Sequence, residues 1–220
     1  AKLTANAFLA QRISSINSIS ALCEVTGANI KEVAKAIGMD KRIGSKFIDA
    51  GPGFGGSCFK KDILNLVYLC NFYNLNQVAE YWEKVIDINY WQQNRLSNIV
   101  VKNLFGTIDS KKIGILGFSF KANTNDTRES PAIQICKDLM NEGANLSIYD
   151  PKVNKEQIIL DLKGYTYSSA NCDSEKGTFE ISSSVEMTSE NSDALIILTE
   201  WQEFKTISWE KISTLHKFKT

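Results

Sequence analysis

Histidine is almost absent from this chain, and the single one, His216, lies near the end among basic and apolar residues. Neither a Ser–His nor a Cys–His catalytic pair is therefore expected, and no metal site is expected either. Cysteine is sparse as well. Its five residues, an odd number with no paired C-x-x-C spacing, argue against a disulfide framework and against structural zinc. Neither sign of charge is in surplus: Lys+Arg 25 against Asp+Glu 25 gives a formal net charge of zero. No global field then draws nucleic acid or an anionic membrane to the surface, and an anionic ligand must be held by local groups. No uninterrupted apolar segment approaches the roughly 20 residues of a membrane span. The first residues also lack the basic-then-apolar order of a signal peptide. The expected partners thus include no nucleic acid and no membrane, and the default location is cytoplasmic.

What is present is 220 residues with 43% hydrophobic content, enough to bury the core of one large or two small domains. Phe8, Leu9, Ile13, Ile16, Ile19 and Leu22 recur at helical spacing over residues 3 to 23, with Gly27 as the stop. Asn29 followed by Glu32 resembles a capping box for a short helix ending at Gly38. Further on, apolar residues from Val78 to Phe105 keep helical period across about thirty residues without proline. At 1.5 Å per residue that is on the order of 45 Å, the length of a domain-spanning or dimer-forming helix. Cys23, Cys70 and Cys136 fall inside apolar helical patterns and read as core, whereas Cys172 lies in a polar stretch.

The segment Gly51-Pro52-Gly53-Phe54-Gly55-Gly56-Ser57-Cys58-Phe59-Lys60-Lys61-Asp62 concentrates the chemistry. Glycine lets backbone approach a ligand closely, and the apolar run from Ile63 to Leu69 places a helix start near Cys58. The N–H groups of a helix N-terminus, with Lys60 and Lys61 nearby, favour negative charge on the sulfur. Asp62, four residues on, shares its helical face and is positioned to orient water or act as a base. Two readings stand at this point: a nucleophile at the mouth of a glycine loop, or a glycine-rich loop with a buried structural cysteine.

After Gly106 the character changes. Strands are expected over 112–117, 145–149 and 194–198, helices over 131–140 and through Ile207, Trp209 and Ile212, and a short strand within the loop-like 163–192 at Thr178 to Ser182. Strand and helix alternating at this spacing mean a parallel sheet with crossover helices. Gly114-x-x-Gly117 is not the dinucleotide fingerprint G-x-G-x-x-G. Phe120-Lys121 sits where the first strand delivers the chain, at the edge where such sheets bind ligands. There Phe120 suits stacking and Lys121 suits a phosphate, or the pair is a half-buried Phe beside an exposed Lys. Ser130-Pro131 reads as a helix cap, with Pro at the first helical position.

Together, Asn6-Ala7-Phe8-Leu9-Ala10-Gln11-Arg12, Gly53 to Asp62, Ile115-Leu116-Gly117-Phe118-Ser119-Phe120-Lys121 and Asp126-Thr127-Arg128-Glu129-Ser130 resemble the UDP-glucose 6-dehydrogenases, particularly the eukaryotic ones, of the nucleotide-sugar dehydrogenase superfamily. The likeness runs from residue 1 almost to residue 220. It implies an α/β chain with an all-helical central dimerisation domain over 1–108, holding the cysteine loop and the long helix. A Rossmann-like UDP-binding domain over 109–220 would follow, cut short before the last strand of the family, and the N-terminal NAD-binding domain would be missing. The implied activity is NAD-dependent four-electron oxidation of UDP-glucose to UDP-glucuronate through a Cys58 thiohemiacetal and thioester, with this stretch inactive alone.

By motif position, Cys58 would be the nucleophile, Lys2 and Asn6 would surround the reacting oxygen, and Asp62 would handle water. Lys2, Asn6, Asp49, Gly51, Gly53, Phe54, Gly55 and Phe59 would hold the nucleotide sugar, with Phe120 and Lys121 contributing from the second domain. Arg42 would reach the substrate of a neighbouring subunit in a dimer-based homo-oligomer, while Cys58, Lys61 and Arg128 would touch the cofactor. The alternatives are a sister enzyme for GDP-mannose or a UDP-N-acetylhexosamine, a non-catalytic dimerisation and nucleotide-binding module, and a redox-sensing cysteine protein.

Overall fold

A computed structural model describes residues 1–167 and 177–215. Cys172, His216 and the chain end at Lys219-Thr220 lie outside the described residues. Two compact units form, Ala1–Gln93 and Asn94–Thr220.

The first unit is helical: α1 (Lys2–Thr26), α2 (Ile30–Gly38), α3 (Phe59–Phe72) and the first part of α4 (Asn76–Asn103). Alanines at 7 and 10, fully buried, let α1 lie close against its neighbours around Phe54, Ile63, Trp82, Val85 and Ile86. A smaller cluster of Ile16, Ala34 and Ile48 docks α2 on α1. Asn29 is the N-cap of α2, but not through the expected box with Glu32: its side chain accepts from the Lys31 N–H, and the Glu32 N–H goes to the Asn29 carbonyl. Cys23, Cys70 and Cys136 are buried as expected.

Helix α4 has 28 residues, about 42 Å at 1.5 Å per residue. The division between units falls inside it, at Gln93/Asn94, and not at the expected 108/109. The reason is packing. Leu96, Val100, Val101 and Leu104 lie against the core of the second unit, so the last turns of the helix belong to that core.

The second unit is a five-stranded sheet, all parallel, in the order β3-β4-β2-β1-β5. Its strands are β1 (Lys112–Leu116), β2 (Asn145–Tyr149), β3 (Thr166–Tyr167), β4 (Thr178–Ile181) and β5 (Ala194–Ile197). Register runs from Lys112 opposite Asn145 to Leu116 opposite Tyr149, and from Ile113 opposite Ala194 to Leu116 opposite Ile197. Central strands of parallel sheets are covered on both faces, and here Ile113, Ile115, Leu146 and Ile148 are almost fully buried. The crossover helix is α5 (Pro131–Asn141), with Ser130 capping it by accepting from Ala132 N–H and Pro131 at its first position. Two short helices, α6 (Lys155–Asp161) and α7 (Val185–Ser189), are not anticipated by periodicity. One helix expected through Ile207, Trp209 and Ile212 is instead two, α8 (Gln202–Thr206) and α9 (Trp209–Ser213). Ile207 is extended, at φ −72° and ψ 140°, because its side chain turns into the cluster of Leu116, Trp201 and Phe204.

Strand β1 stands between β2, reached through α5, and β5 on the opposite side. That is the point of an open α/β sheet where a crevice forms at the carboxyl ends of the strands.

Candidate active site

Two helical i,i+4 pairs meet in the first unit. Lys2 and Asn6 share a face of α1, exposed and half-buried respectively. Cys58 is the N-cap of α3, with Asp62 one turn further on. Asn6 Nδ2 donates to Asp62 Oδ2 at 2.6 Å and joins the pairs. Cys58 is exposed, so it is not a buried core cysteine. Ser57 Oγ lies 3.7 Å from its sulfur. Phe59 packs edge-on against Phe54 at 5.8 Å and Phe47 at 6.5 Å. Lys60 Nζ lies over the Tyr90 ring at 5.3 Å, and Lys61 is exposed.

The loop before Cys58 is held by carboxamides. Gly51 N–H donates to Asn17 Oδ1 at 2.9 Å, and Gln92 Nε2 donates to Gly51 C=O at 2.9 Å. Phe54 N–H donates to Asn89 Oδ1 at 2.8 Å, while Asn89 Nδ2 donates back to Phe54 C=O at 3.1 Å. Between them Gly53 has φ 126°, and a Cβ there would stand 2.7 Å from Asn89 Oδ1. Glycine is thus required on two counts, conformation and space. Asp49, at the start of the loop, is exposed.

Arg42 occupies an exposed turn after α2. Its guanidinium forms a two-nitrogen pair with Asp40, with Nη2 to Oδ2 at 2.6 Å and Nε to Oδ1 at 3.0 Å. The Arg42 side chain, and then its backbone N–H, hold the Asp40 carboxyl below the usual carboxylate range. Nearby, Arg12 donates to the carbonyls of Ile43, Gly44 and Lys46 at 2.7, 2.9 and 3.0 Å, fixing the following bend. Sequence reasoning assigns Arg12 to the motif without a task. Three backbone acceptors supply one.

In the second unit, Phe120 and Lys121 lie on the loop that leaves β1. Phe120 is half-buried and Lys121 exposed, with Lys121 Nζ at 5.3 Å from the Phe120 ring centroid. Asp150, at the end of β2, organises this loop. Its Oδ2 accepts from Phe118 N–H at 2.7 Å, Ser119 N–H at 3.0 Å and Trp201 Nε1 at 3.1 Å. Its Oδ1 accepts from the N–H groups of Lys152 at 2.9 Å and Val153 at 3.0 Å. Thr199 Oγ1 and Ser130 Oγ donate to the carbonyls of Ser119 and Phe118 at 2.6 and 2.7 Å. Gly117, at φ 92°, leaves only 2.5 Å between a Cβ and Thr199 Cβ, so this glycine serves packing. Arg128 pairs with Asp126 in the geometry of Arg42 with Asp40, at 2.7 Å, and its side chain holds the Asp126 carboxyl low.

Of the sequence-expected residues, the fold brings Asn6 and Asp62 into contact, sets Cys58 one turn from Asp62 and Lys2 one turn from Asn6, and packs Phe54 on Phe59. Gly51, Gly53 and Gly55 lie on the loop leading to Cys58. Phe120, Lys121 and Arg128 form a second group in the other unit. Sequence reasoning misses Asn17, Asn89, Gln92 and Asp150, all polar and all buried. The helical unit also exposes apolar side chains, among them Phe8, Leu22, Tyr68, Phe72 and Tyr81. Among the described residues no helix is long and apolar enough to cross a membrane, and no group of His, Cys, Asp and Glu is arranged to hold a metal ion.

Residues 1–91 match the UDP-glucose/GDP-mannose dehydrogenase family, central domain, and residues 114–220 match the UDP binding domain of the same family. The UDP-glucose 6-dehydrogenase of Gallus gallus is 58% identical over 211 residues, 96% of this chain and 42% of that protein. Those of Drosophila melanogaster and Glycine max are 54% and 51% identical, with 96% of this chain and 44% and 45% of theirs covered. Among solved structures, a UDP-glucose dehydrogenase from Pyrobaculum islandicum superposes with a TM-score of 0.80 at 28% identity, over 94% of this chain and 44% of that one. A UDP-D-ManNAc dehydrogenase from Pyrococcus horikoshii gives 0.73 at 24% identity, over 98% and 45%, a likeness of fold. The chain therefore spans less than half the length of these relatives. The two matched domains, the cysteine at the N-cap of α3 and the parallel sheet all lead to one assignment: the chain belongs to the UDP-glucose/GDP-mannose dehydrogenase family, of which it carries the central and UDP-binding domains.

Proposed function

We propose that this chain supplies the catalytic cysteine and the nucleotide-sugar site of a UDP-glucose 6-dehydrogenase, which oxidises UDP-glucose to UDP-glucuronate. The observation that carries the reading is an exposed Cys58 thiol at a helix start, one turn from an Asp62 hydrogen-bonded to Asn6. Identities of 51–58% to proteins of that name support the choice of substrate over GDP-mannose or a UDP-N-acetylhexosamine.

In this reading the sugar alcohol carbon passes through an aldehyde to an acid. Cys58 sulfur adds to the aldehyde carbon, and the carbonyl oxygen takes a proton to give a thiohemiacetal. Oxidation of that adduct leaves a thioester. Water then attacks its carbonyl, the C–S bond breaks, and the thiol and the carboxylate are released. Lys2 and Asn6 face the oxygen that gains negative charge; loss of one such donor elsewhere costs about 2.7–4 kcal/mol. Asp62 orients the water. Asp49, Gly51, Gly53, Phe54, Gly55 and Phe59 wrap the nucleotide sugar, and Arg42 reaches it from a neighbouring subunit of a homo-oligomer; Phe120 and Lys121 are the substrate contacts proposed for the UDP-binding domain. The exposed apolar residues of the helical unit suit such self-association.

NAD would supply the hydride acceptor for both oxidations, and Cys58, Lys61 and Arg128 are the residues of this chain proposed to touch it. The sheet crevice itself does not fit a dinucleotide. Gly117 is there for Thr199, and Asp150, where a dinucleotide fold has its ribose acceptor, is occupied by five of the chain's own N–H groups.

The test uses the full-length enzyme. UDP-glucose should be turned over in preference to GDP-mannose and UDP-N-acetylhexosamines, as read by NADH absorbance. Cys58→Ser should keep substrate binding and lose acid release, because a hydroxyl is far the weaker nucleophile without a neighbouring base. Near-normal turnover by Cys58→Ser refutes the assignment.

A further inference from the structure

We propose that Asn89, Gln92 and Asn17 are positioning residues for the chemistry at Cys58, a clamp of three carboxamides that sets the Gly51–Phe54 loop in its ligand-ready shape before a ligand arrives. The proposal rests on the reading of that loop as the wrap around a nucleotide sugar.

A loop of this composition has little to order it. Glycines at 51, 53, 55 and 56 contribute no side chains and lose more backbone freedom on ordering than other residues. No strand lies alongside to pair their backbone, so side chains take that part. Gly51 is held at both its N–H and its C=O, and so is Phe54. Asn89 presents an acceptor and a donor side by side and meets the N–H and C=O of a single residue, the match a carboxamide makes with a peptide group.

The clamp residues are not casual surface contacts. Asn17, Gln92 and Asn89 are 0%, 3% and 5% exposed; both polar ends of Asn89 are paired with the loop, whereas Asn17 is paired through Oδ1 alone and its buried Nδ2 has no partner. They stand on α1 and α4, long helices whose side chains are more firmly placed than those of a loop. Gly53 fits beneath Asn89 only because it lacks a Cβ. From there the chain runs through Gly55-Gly56-Ser57 into Cys58, so a shift of the loop is a shift of the thiol. Misplacement of a reacting group by 1 Å costs about 10²-fold in rate.

The experiment compares full-length Asn89→Asp and Gln92→Glu with wild type. Each keeps shape and an acceptor oxygen but loses the N–H that reaches Phe54 C=O or Gly51 C=O. Amide hydrogen exchange, thermal midpoint, and KM and kcat for UDP-glucose are followed as pH is lowered from neutrality. The clamp requires faster exchange confined to the loop, a KM raised at least about tenfold and a kcat lowered with it, by up to about 10²-fold. It also requires that the Asn89→Asp penalty, taken as a ratio to wild type, shrink with falling pH, because a protonated carboxyl regains an O–H donor for Phe54 C=O. Unchanged loop exchange, or faster exchange spread through the whole helical unit with KM following the thermal midpoint, overturns it. If wild type does not use UDP-glucose, the substrate reading fails, and loop exchange alone decides the clamp.

Discussion

Replacing Asp150 by Asn keeps size and shape but removes the carboxylate charge and the ability to accept on both sides. Three donors meet Oδ2 and two meet Oδ1. Asparagine does best with its oxygen toward Phe118, Ser119 and Trp201, which leaves its NH2 facing the N–H groups of Lys152 and Val153. A buried donor deprived of its acceptor costs about 1–3 kcal/mol. Lys152 is exposed and water can serve it, so one buried donor, Val153 N–H, is left unpaired and the expected loss is about 1–3 kcal/mol. Against a total stability of about 5–15 kcal/mol this is large. The second unit, Asn94–Thr220, falls between the sizes for which the shift is about 4–8 and about 2–4 °C per kcal/mol, so at about 4 °C per kcal/mol its melting should fall by on the order of 4–12 °C. Calorimetry would read it, and amide exchange at Phe118 and Ser119 would localise it. Asp150→Ala, which frees all five donors, should cost more than Asn. A loss below about 1 kcal/mol for Asp150→Asn, within the range of an ordinary surface change, would refute the two-sided acceptor argument.

Three further outcomes are expected. Asp62→Asn retains an oxygen for Asn6 Nδ2 but loses the charge beside Cys58; turnover of UDP-glucose should fall about 10²- to 10⁴-fold with binding little altered, and mass spectrometry should find substrate on Cys58 if hydrolysis has become limiting. Tyr149, its hydroxyl donating to Glu203 at 2.9 Å, has its phenol pushed from 10.0 up to about 12, first by burial and then by Glu203. Because the folded state holds this proton more tightly, its contribution is whole below pH 10 and is lost as pH rises through 10 to 12, so Tyr149→Phe should flatten that stretch of the unfolding midpoint against pH. Arg42→Ala should weaken turnover, and mixed oligomers of Arg42→Ala with Cys58→Ser should regain part of it if Arg42 serves a neighbour's site; no recovery over either parent would leave Arg42 to its own Asp40.

How legible each element is depends on how many turns of period it contains. Helices α1 and α4, at 25 and 28 residues, repeat their apolar stripe often enough to be read, and the strands β1, β2 and β5 stand as apolar runs. Helices α6 and α7 have seven and five residues, less than two full turns, and each rests on a cap, Asn154 or Ser184, and a few buried side chains. Neither leaves a periodic trace. The boundary between units is hidden for the opposite reason: the helical period of α4 runs on past it while the core its apolar side chains pack against changes.

The site divides along similar lines. Cys58 and its glycines are legible because glycine density is a backbone property, visible residue by residue. The clamp is not, because Asn and Gln suit an exposed helix face as readily as a buried one, and a count of apolar positions passes over them. Their register nonetheless carries information. Trp82, Val85, Ile86, Asn89, Gln92, Gln93 and Ser97 are all buried, and 82, 85 or 86, 89, 92 or 93 and 97 follow at three- and four-residue spacing, so the inward stripe of α4 turns polar halfway along without leaving its face. A carboxamide at such a position must find a partner, since an unpaired one is costly. Helix backbone offers it none, as the helix satisfies its own. The segments that need partners are those with glycine and no strand beside them, and in this unit the segment before Cys58 is such a one. A polar interruption in an amphipathic stripe and an unsupported glycine loop in the same unit are therefore two halves of one observation, and each makes the other readable.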